Sequence, residues 1–131
     1  MVVTSTLLPE ALPRAYEESQ IQRAVVNFLR WALPDDAAFY SIPNEGQRGR
    51  KAVARLVGMG LRAGMPDLGL CYKGRTIFIE LKTPVGRLSP SQRQMHRKLI
   101  ASGAEVLVLR SLEGVVNALM EMGVPLKARL S

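Results

Sequence analysis

The chain has 131 residues, 47% of them hydrophobic, with 18 Lys and Arg against 11 Asp and Glu for a formal net charge of +7. That is enough apolar material for one compact core, and the positive excess points to a polyanionic partner, nucleic acid first. A single cysteine, Cys71, excludes an internal disulfide, and a single histidine, His96, excludes histidine-dependent nuclease chemistry and zinc sites built on several Cys or His ligands.

No apolar run approaches the ~18–20 residues of a membrane span, and the opening MVVTSTLLPEALPRAYEE lacks the basic region and apolar stretch of a signal peptide. The expectation is a cytoplasmic protein with no membrane partner.

Residues 1–14, with Pro9 and Pro13, read as a loosely ordered arm whose Leu7, Leu8 and Leu12 can dock on a neighbour, and residues 15–131 as a single domain. From Tyr16 to about Leu33, Ile21, Val25, Phe28, Leu29 and Ala32 recur at helical spacing, and Pro34-Asp35-Asp36 ends the segment. Ala38 to Ile42 predicts a short strand. The loop PNEGQRGRK, rich in Gly and Arg, leads into KAVARLVGMGL, a short helix or turn. Two strands are expected at Asp67–Tyr72 and Arg75–Lys82, antiparallel neighbours across the tight Lys73-Gly74 turn. Ser89-Pro90-Ser91-Gln92 supplies an N-cap, a proline at the first helical position and a Gln at the third, opening a helix that stops near Gly103. A strand at Glu105–Leu109 and a final helix at Leu112–Met122 complete the order αβ(α)ββαβα, an α/β fold with a mixed central sheet flanked by helices.

The hairpin raises a chemical question, because its apolar strand TIFIELK carries two charges. Side chains alternate along a strand, so Glu80 and Lys82 share one face while Ile77, Ile79 and Leu81 share the other. Asp67 begins the preceding strand, which brings its carboxylate toward that of Glu80. Two carboxylates converging at a sheet edge repel one another unless a hard cation sits between them, and Mg²⁺ or Mn²⁺ with retained waters answers that need. Lys82, beside the cation, can orient or help activate a water, while the cation takes charge developing on a scissile phosphate. The plain alternative for Glu80 and Lys82 is a solvated edge pair, which the apolar flank opposes; for Asp67 after Gly-Met-Pro it is a turn-ending acid.

Gly-Met-Pro-Asp67 followed by Glu80-Leu81-Lys82 resembles the PD-(D/E)xK nuclease signature, and the continuation KTPVGRLSPSQ, with Gln92, is similar more narrowly to the VRR-NUC (virus-type replication-repair nuclease) family. Glu18-Ser19-Gln20-Ile21-Gln22 is similar to that family's Glu-containing first helix, and Asn44-Glu45-Gly46 to its Asn-Gly loop. The ordered set is far more specific than PD with ExK alone. The resemblance, running from about Glu17 to Gly123, implies a restriction-endonuclease-like core shared with Holliday-junction resolvases. It also implies a metal-dependent DNA endonuclease acting on branched DNA as a homodimer, of the free-standing bacterial or phage type. Carried over by position, it makes Asp67 and Glu80 the metal carboxylates, the backbone carbonyl of Leu81 a further ligand, Lys82 the catalytic lysine, and Gln92 and Glu18 supporting residues. Glu17 is the alternative if the helical register is off by one. Gln92 also suits a capping box with Ser89, Glu18 also suits a solvated first-turn acid, and His96 reads as a partly exposed helical side chain.

Arg48, Arg50, Lys51, Arg55 and Arg62 fall in an acid-free stretch between Gly46 and Pro66 that leads into Asp67, which suits phosphate contact; Arg87, Arg93, Arg97 and Lys98 offer a second strip. With only 5% aromatic residues, backbone recognition of duplex or branched DNA is favoured over base stacking. Two other classes share these residues. A restriction-type or flap-nicking nuclease would use the same chemistry, and a non-catalytic DNA-binding module would keep the basic surface while losing Asp67, Glu80 or Lys82, none of which is lost.

Overall fold

The structure, a computed structural model, describes residues 14–43 and 49–127. Leu7, Leu8 and Leu12 of the arm, the Asn44-Glu45-Gly46 loop and Arg48 lie outside the described residues. The elements are α1 (Arg14–Ala32), β1 (Ala38–Ser41), α2 (Arg50–Gly58), β2 (Leu68–Tyr72), β3 (Arg75–Leu81), α3 (Pro90–Ala101), β4 (Glu105–Leu109) and α4 (Leu112–Glu121). Four strands in the order β1-β2-β3-β4 form a mixed sheet, and together with the helices they give the α/β class expected from sequence. Strand β3 is internal to that order, so Glu80 is not on a solvated lateral edge; Asp67, just before β2, and Glu80, near the end of β3, fall at the ends of two inner strands rather than at a sheet edge.

The chain divides into two compact units. The first comprises α1, the segment Leu81–Gly86 and the chain from Val108 onward. Its core is built by the helical stripe of α1, where Val25, Phe28, Leu29 and Ala32 are buried, and by Val115, Val116 and Leu119 of α4, the helix that packs against it. Helix α1 begins at Arg14, earlier than the apolar periodicity announces, so Glu17 occupies its first turn and Glu18 lies one residue deeper.

The second unit comprises Ala38–Glu80 and Arg87–Leu107. Its frame is the β2–β3 hairpin. Lys73 (φ 49°) and Gly74 (φ 77°) both adopt left-handed backbone, as a two-residue turn with the twist of its strands requires. The antiparallel register places Leu68 opposite Ile79 and Leu70 opposite Ile77, and these four side chains are fully buried on one face. A fork of two hydrogen bonds from Arg75 to Glu105, at 3.1 and 3.0 Å, ties the start of β3 to the start of β4. Glu105 holds the Arg75 guanidinium above its ordinary value chiefly through this hydrogen bond.

Candidate active site

In the second unit the register sets Leu68 opposite Ile79, and Asp67 and Glu80 are the next residues beyond that pair, Asp67 just before β2 and Glu80 within β3. The main chain of Asp67 is fixed from the other side, where the N–H of Ile42 donates to its carbonyl at 2.9 Å. Side chains alternate along a strand, so Glu80 points away from the face on which Leu68 and Ile79 enter the core. On the Glu80 face Tyr40 lies over Gly69, where any Cβ would meet its ring. Burial, with the Cys71 thiol beside it, raises the Tyr40 phenol above its ordinary value.

Glu80 is only 1% exposed although it is an acid. Its partner is His96, whose Nε2 lies 3.0 Å from Oε1; the histidine is itself buried, contrary to the expectation of a partly exposed side chain. Helix α3 explains the placement. Its N-terminus is fixed by the expected capping box, in which Ser89 Oγ accepts the Gln92 N–H at 3.1 Å and Gln92 Oε1 accepts the Ser89 N–H at 2.8 Å. His96 follows Gln92 by four residues on the same helical face, and it reaches Glu80 from there. Gln92 therefore spends its side-chain carbonyl on the helix cap, and only its amide NH₂ has donors to offer elsewhere. The loop before Asp67 lies against the same helix end, for Gly64 has φ of +83° and a Cβ on it would run into the main chain of Ser91.

In the first unit, Lys82 is half-buried, and its N–H donates to the carbonyl of Leu109 at 3.0 Å. The segment that follows is held by a residue the sequence did not single out. Arg110 Nη1 donates to the carbonyls of Thr83 and Gly86 at 2.6 and 2.7 Å, with that of Pro84 at 3.4 Å. Thr83 is fully buried, and its Oγ1 has no hydrogen-bond partner among the described residues. A Cβ built on Gly86 would stand 3.0 Å from Thr83 Oγ1 and 3.5 Å from Glu18 Oε1, so the Glu18 carboxylate reaches the loop directly after Lys82.

Of the predicted residues, Asp67 and Glu80 lie one residue beyond the Leu68–Ile79 pair in one unit, and Glu18 lies at the Lys82–Gly86 stretch in the other. The Glu80-Leu81-Lys82 motif crosses covalently from one to the other. Asp67 and Glu80 offer oxygen donors only, which fits a hard cation that retains several waters. They do not make an all-protein cage, since no group of three or more His, Cys, Asp or Glu among the described residues is arranged to hold a metal.

Arg50, Lys51 and Arg55 are exposed on α2, which buries none of its residues, and Arg62, Arg87, Arg93, Arg97 and Lys98 are also exposed. Arg93 donates to the carbonyl of Leu88 at 2.8 Å. Arg62 and Lys98, from the two predicted basic strips, line one groove of about 170 Å³ with Ala63, Ser91, Gln94 and Met95. No described helix is long and apolar enough to cross a membrane.

A family model described as "VRR-NUC domain" matches residues 8–113. Among solved structures, one titled "VRR_NUC domain protein" is 22% identical with a TM-score of 0.65, covering 80% of this chain and 86% of that one. A second, titled "VRR_NUC domain", is 23% identical with a TM-score of 0.53, covering 80% of this chain and 95% of that one. Both likenesses concern the fold. No curated protein matches the chain.

Proposed function

Since this chain belongs to the VRR-NUC family, and is thereby a nuclease of the PD-(D/E)xK type acting on DNA, we propose that it is a metal-dependent, structure-selective endonuclease that hydrolyses phosphodiester bonds in branched DNA in the manner of a Holliday-junction resolvase. What supports the reading is Asp67 and a buried Glu80, each one residue beyond the Leu68–Ile79 pair of the two inner strands, an arrangement whose repulsion a divalent cation would relieve. Residues 15–131 are taken to work as one nuclease domain.

In this reading Asp67, Glu80 and the carbonyl of Leu81 would hold Mg²⁺ or Mn²⁺, which when bound would supply Lewis-acid stabilisation of the phosphate and lower the pKa of a nearby water. Lys82, next but one to Glu80 in the chain, holds and orients the attacking water through its ammonium group. Glu18, at the loop that follows Lys82, accepts hydrogen bonds from waters there, and the amide of Gln92 donates to the substrate. Arg50, Lys51, Arg55, Arg62, Arg87 and Arg93, joined by Arg48, neutralise DNA phosphates without reading bases, which suits recognition by shape. A C₂ homodimer would supply the two sites that symmetric resolution of a junction needs.

The test is incubation of the purified protein with labelled four-way junction, flap, splayed-arm and linear duplex DNA in Mg²⁺, Mn²⁺ or EDTA. Symmetric nicking of the junction in metal alone is the expected result. Cutting of linear duplex at one base sequence would replace the proposal with a restriction-type enzyme, and preference for flaps would replace it with a flap nuclease. Binding without cleavage in any metal would leave a non-catalytic DNA-binding module.

A further inference from the structure

We propose that His96 is a positioning residue which holds one oxygen of Glu80 away from the cation and so biases the site toward Mg²⁺ and Mn²⁺ over Ca²⁺; this rests on the reading of Asp67 and Glu80 as cation ligands. His96 Nε2 and Glu80 Oε1 are 3.0 Å apart, with the residues 6% and 1% exposed, so water cannot readily replace either partner. While Glu80 is ionised the bond runs from the imidazole N–H to the carboxylate, because an ionised carboxylate only accepts. A carboxylate gripped at one oxygen cannot rotate freely, and outer hydrogen bonds of this kind are how proteins orient metal ligands. His96 meets Glu80 and is not one of the proposed ligands, so its role is exerted through Glu80.

The consequence follows from cation size. Ca²⁺ takes six to eight oxygens at long range and favours carboxylates that give both, whereas Mg²⁺ accepts one oxygen from each of one or two carboxylates and keeps its waters. With one lone pair of Oε1 taken by His96 and the carboxylate's rotation restrained, ligation by both oxygens of Glu80 is disfavoured, which serves the smaller ion. Helix α3 therefore selects the metal without touching it.

The experiment is calorimetric titration of Mg²⁺, Mn²⁺ and Ca²⁺, without DNA, into the wild type, His96→Leu, His96→Gln and Asp67→Asn. His96→Leu, which keeps bulk and removes the donor, is expected to lose about tenfold in Mg²⁺ affinity and to shift the Ca²⁺-to-Mg²⁺ affinity ratio toward Ca²⁺. In His96→Gln the amide nitrogen takes the place of the ring Nε2, so selectivity should return, which restored packing alone would not achieve. Circular dichroism checks folding, and if His96→Leu does not fold, His96→Met, which likewise carries no donor, takes its place. A wild type that binds no divalent cation, or Asp67→Asn binding as wild type does, would overturn the cation reading and this inference with it. Loss of binding in Asp67→Asn, with an unchanged ratio in the folded donor-less His96 variant, would overturn the role of His96 alone.

Discussion

Arg110 and Thr83 are joined by a 2.6 Å hydrogen bond from the guanidinium Nη1 to the main-chain carbonyl, and the same nitrogen lies 2.7 Å from the carbonyl of Gly86. One side chain thus fixes both ends of the turn that follows Lys82. Arg110→Ala is expected to cost about 1–2 kcal/mol, the charged hydrogen bonds being discounted for the exposure of this arginine, and to lower the melting temperature by several degrees. Cleavage should fall more than DNA binding, because the turn adjoins the proposed catalytic lysine. Thermal melts with single-turnover cleavage check both, and a variant matching the wild type in each would show the clamp to be idle.

Thr83→Val probes the same turn from inside. The hydroxyl is buried without a hydrogen-bond partner among the described residues, and an orphaned group of this kind costs about 1–3 kcal/mol. Replacing it with a methyl of similar shape should leave stability unchanged or raise it by about 1 kcal/mol. Urea denaturation is the measurement. A clear loss of stability would mean that the hydroxyl is satisfied in solution, and the idea of an orphan would be abandoned.

The assigned chemistry predicts that Asp67→Asn, Glu80→Gln and Lys82→Ala each abolish metal-dependent cleavage while DNA binding largely survives. Neutralising either carboxylate should also raise the melting temperature without metal, since it removes like-charge repulsion. Glu80→Gln has a competing loss, because it weakens a hydrogen bond to buried His96, so Asp67→Asn should show the larger gain. Near wild-type cutting by purified Glu80→Gln would end the assignment.

Phosphate contact is tested by salt. Arg50, Lys51 and Arg55 are exposed on a helix that buries nothing, and Arg62 shares a groove with Lys98. Neutralising any two should weaken binding to every DNA tested and flatten the plot of log K against log salt by about one unit per lost contact. An unaltered slope would make this a merely solvated face.

Helix α2 also bears on assembly. Met59, which caps it, is 73% exposed and Val57 52% exposed, apolar surface that a partner copy would cover. Light scattering at micromolar concentration should give twice the monomer mass of 14.4 kDa, and Val57→Lys with Met59→Lys should halve it. A wild-type mass that stays at the monomer value with junction DNA bound would remove the dimer and move the substrate preference toward flaps.

Local signals were legible in the sequence. Lys73-Gly74 set the hairpin, and the hairpin set Leu68 against Ile79; Ser89 and Gln92 set the start of α3 through bonds between residues three apart. His96 was not legible, because its burial depends on where α3 settles, and a single histidine four residues after Gln92 carries no pattern of its own. That spacing, which puts it on the capping residue's helical face, was the one available clue. Arg110 was hidden for the same reason, its carbonyl partners lying 27 and 24 residues upstream. The early start of α1 escaped because the residues that extend it add nothing to the apolar stripe by which the helix was recognised.

The close approach of Gly64 to Ser91 bears on how this sequence can drift. Gly64 is constrained twice, by a φ of +83° that L-residues rarely adopt and by the Ser91 carbonyl standing where a side chain would begin. Ser91 makes its half of the contact with main-chain atoms, which every amino acid supplies, and its side chain is exposed. One contact therefore weighs unequally on its two partners. Among homologues that keep this loop, position 64 should be glycine almost without exception, while position 91 should wander among residues suited to a helix's second position, leaving half of the contact invisible to any comparison of sequences.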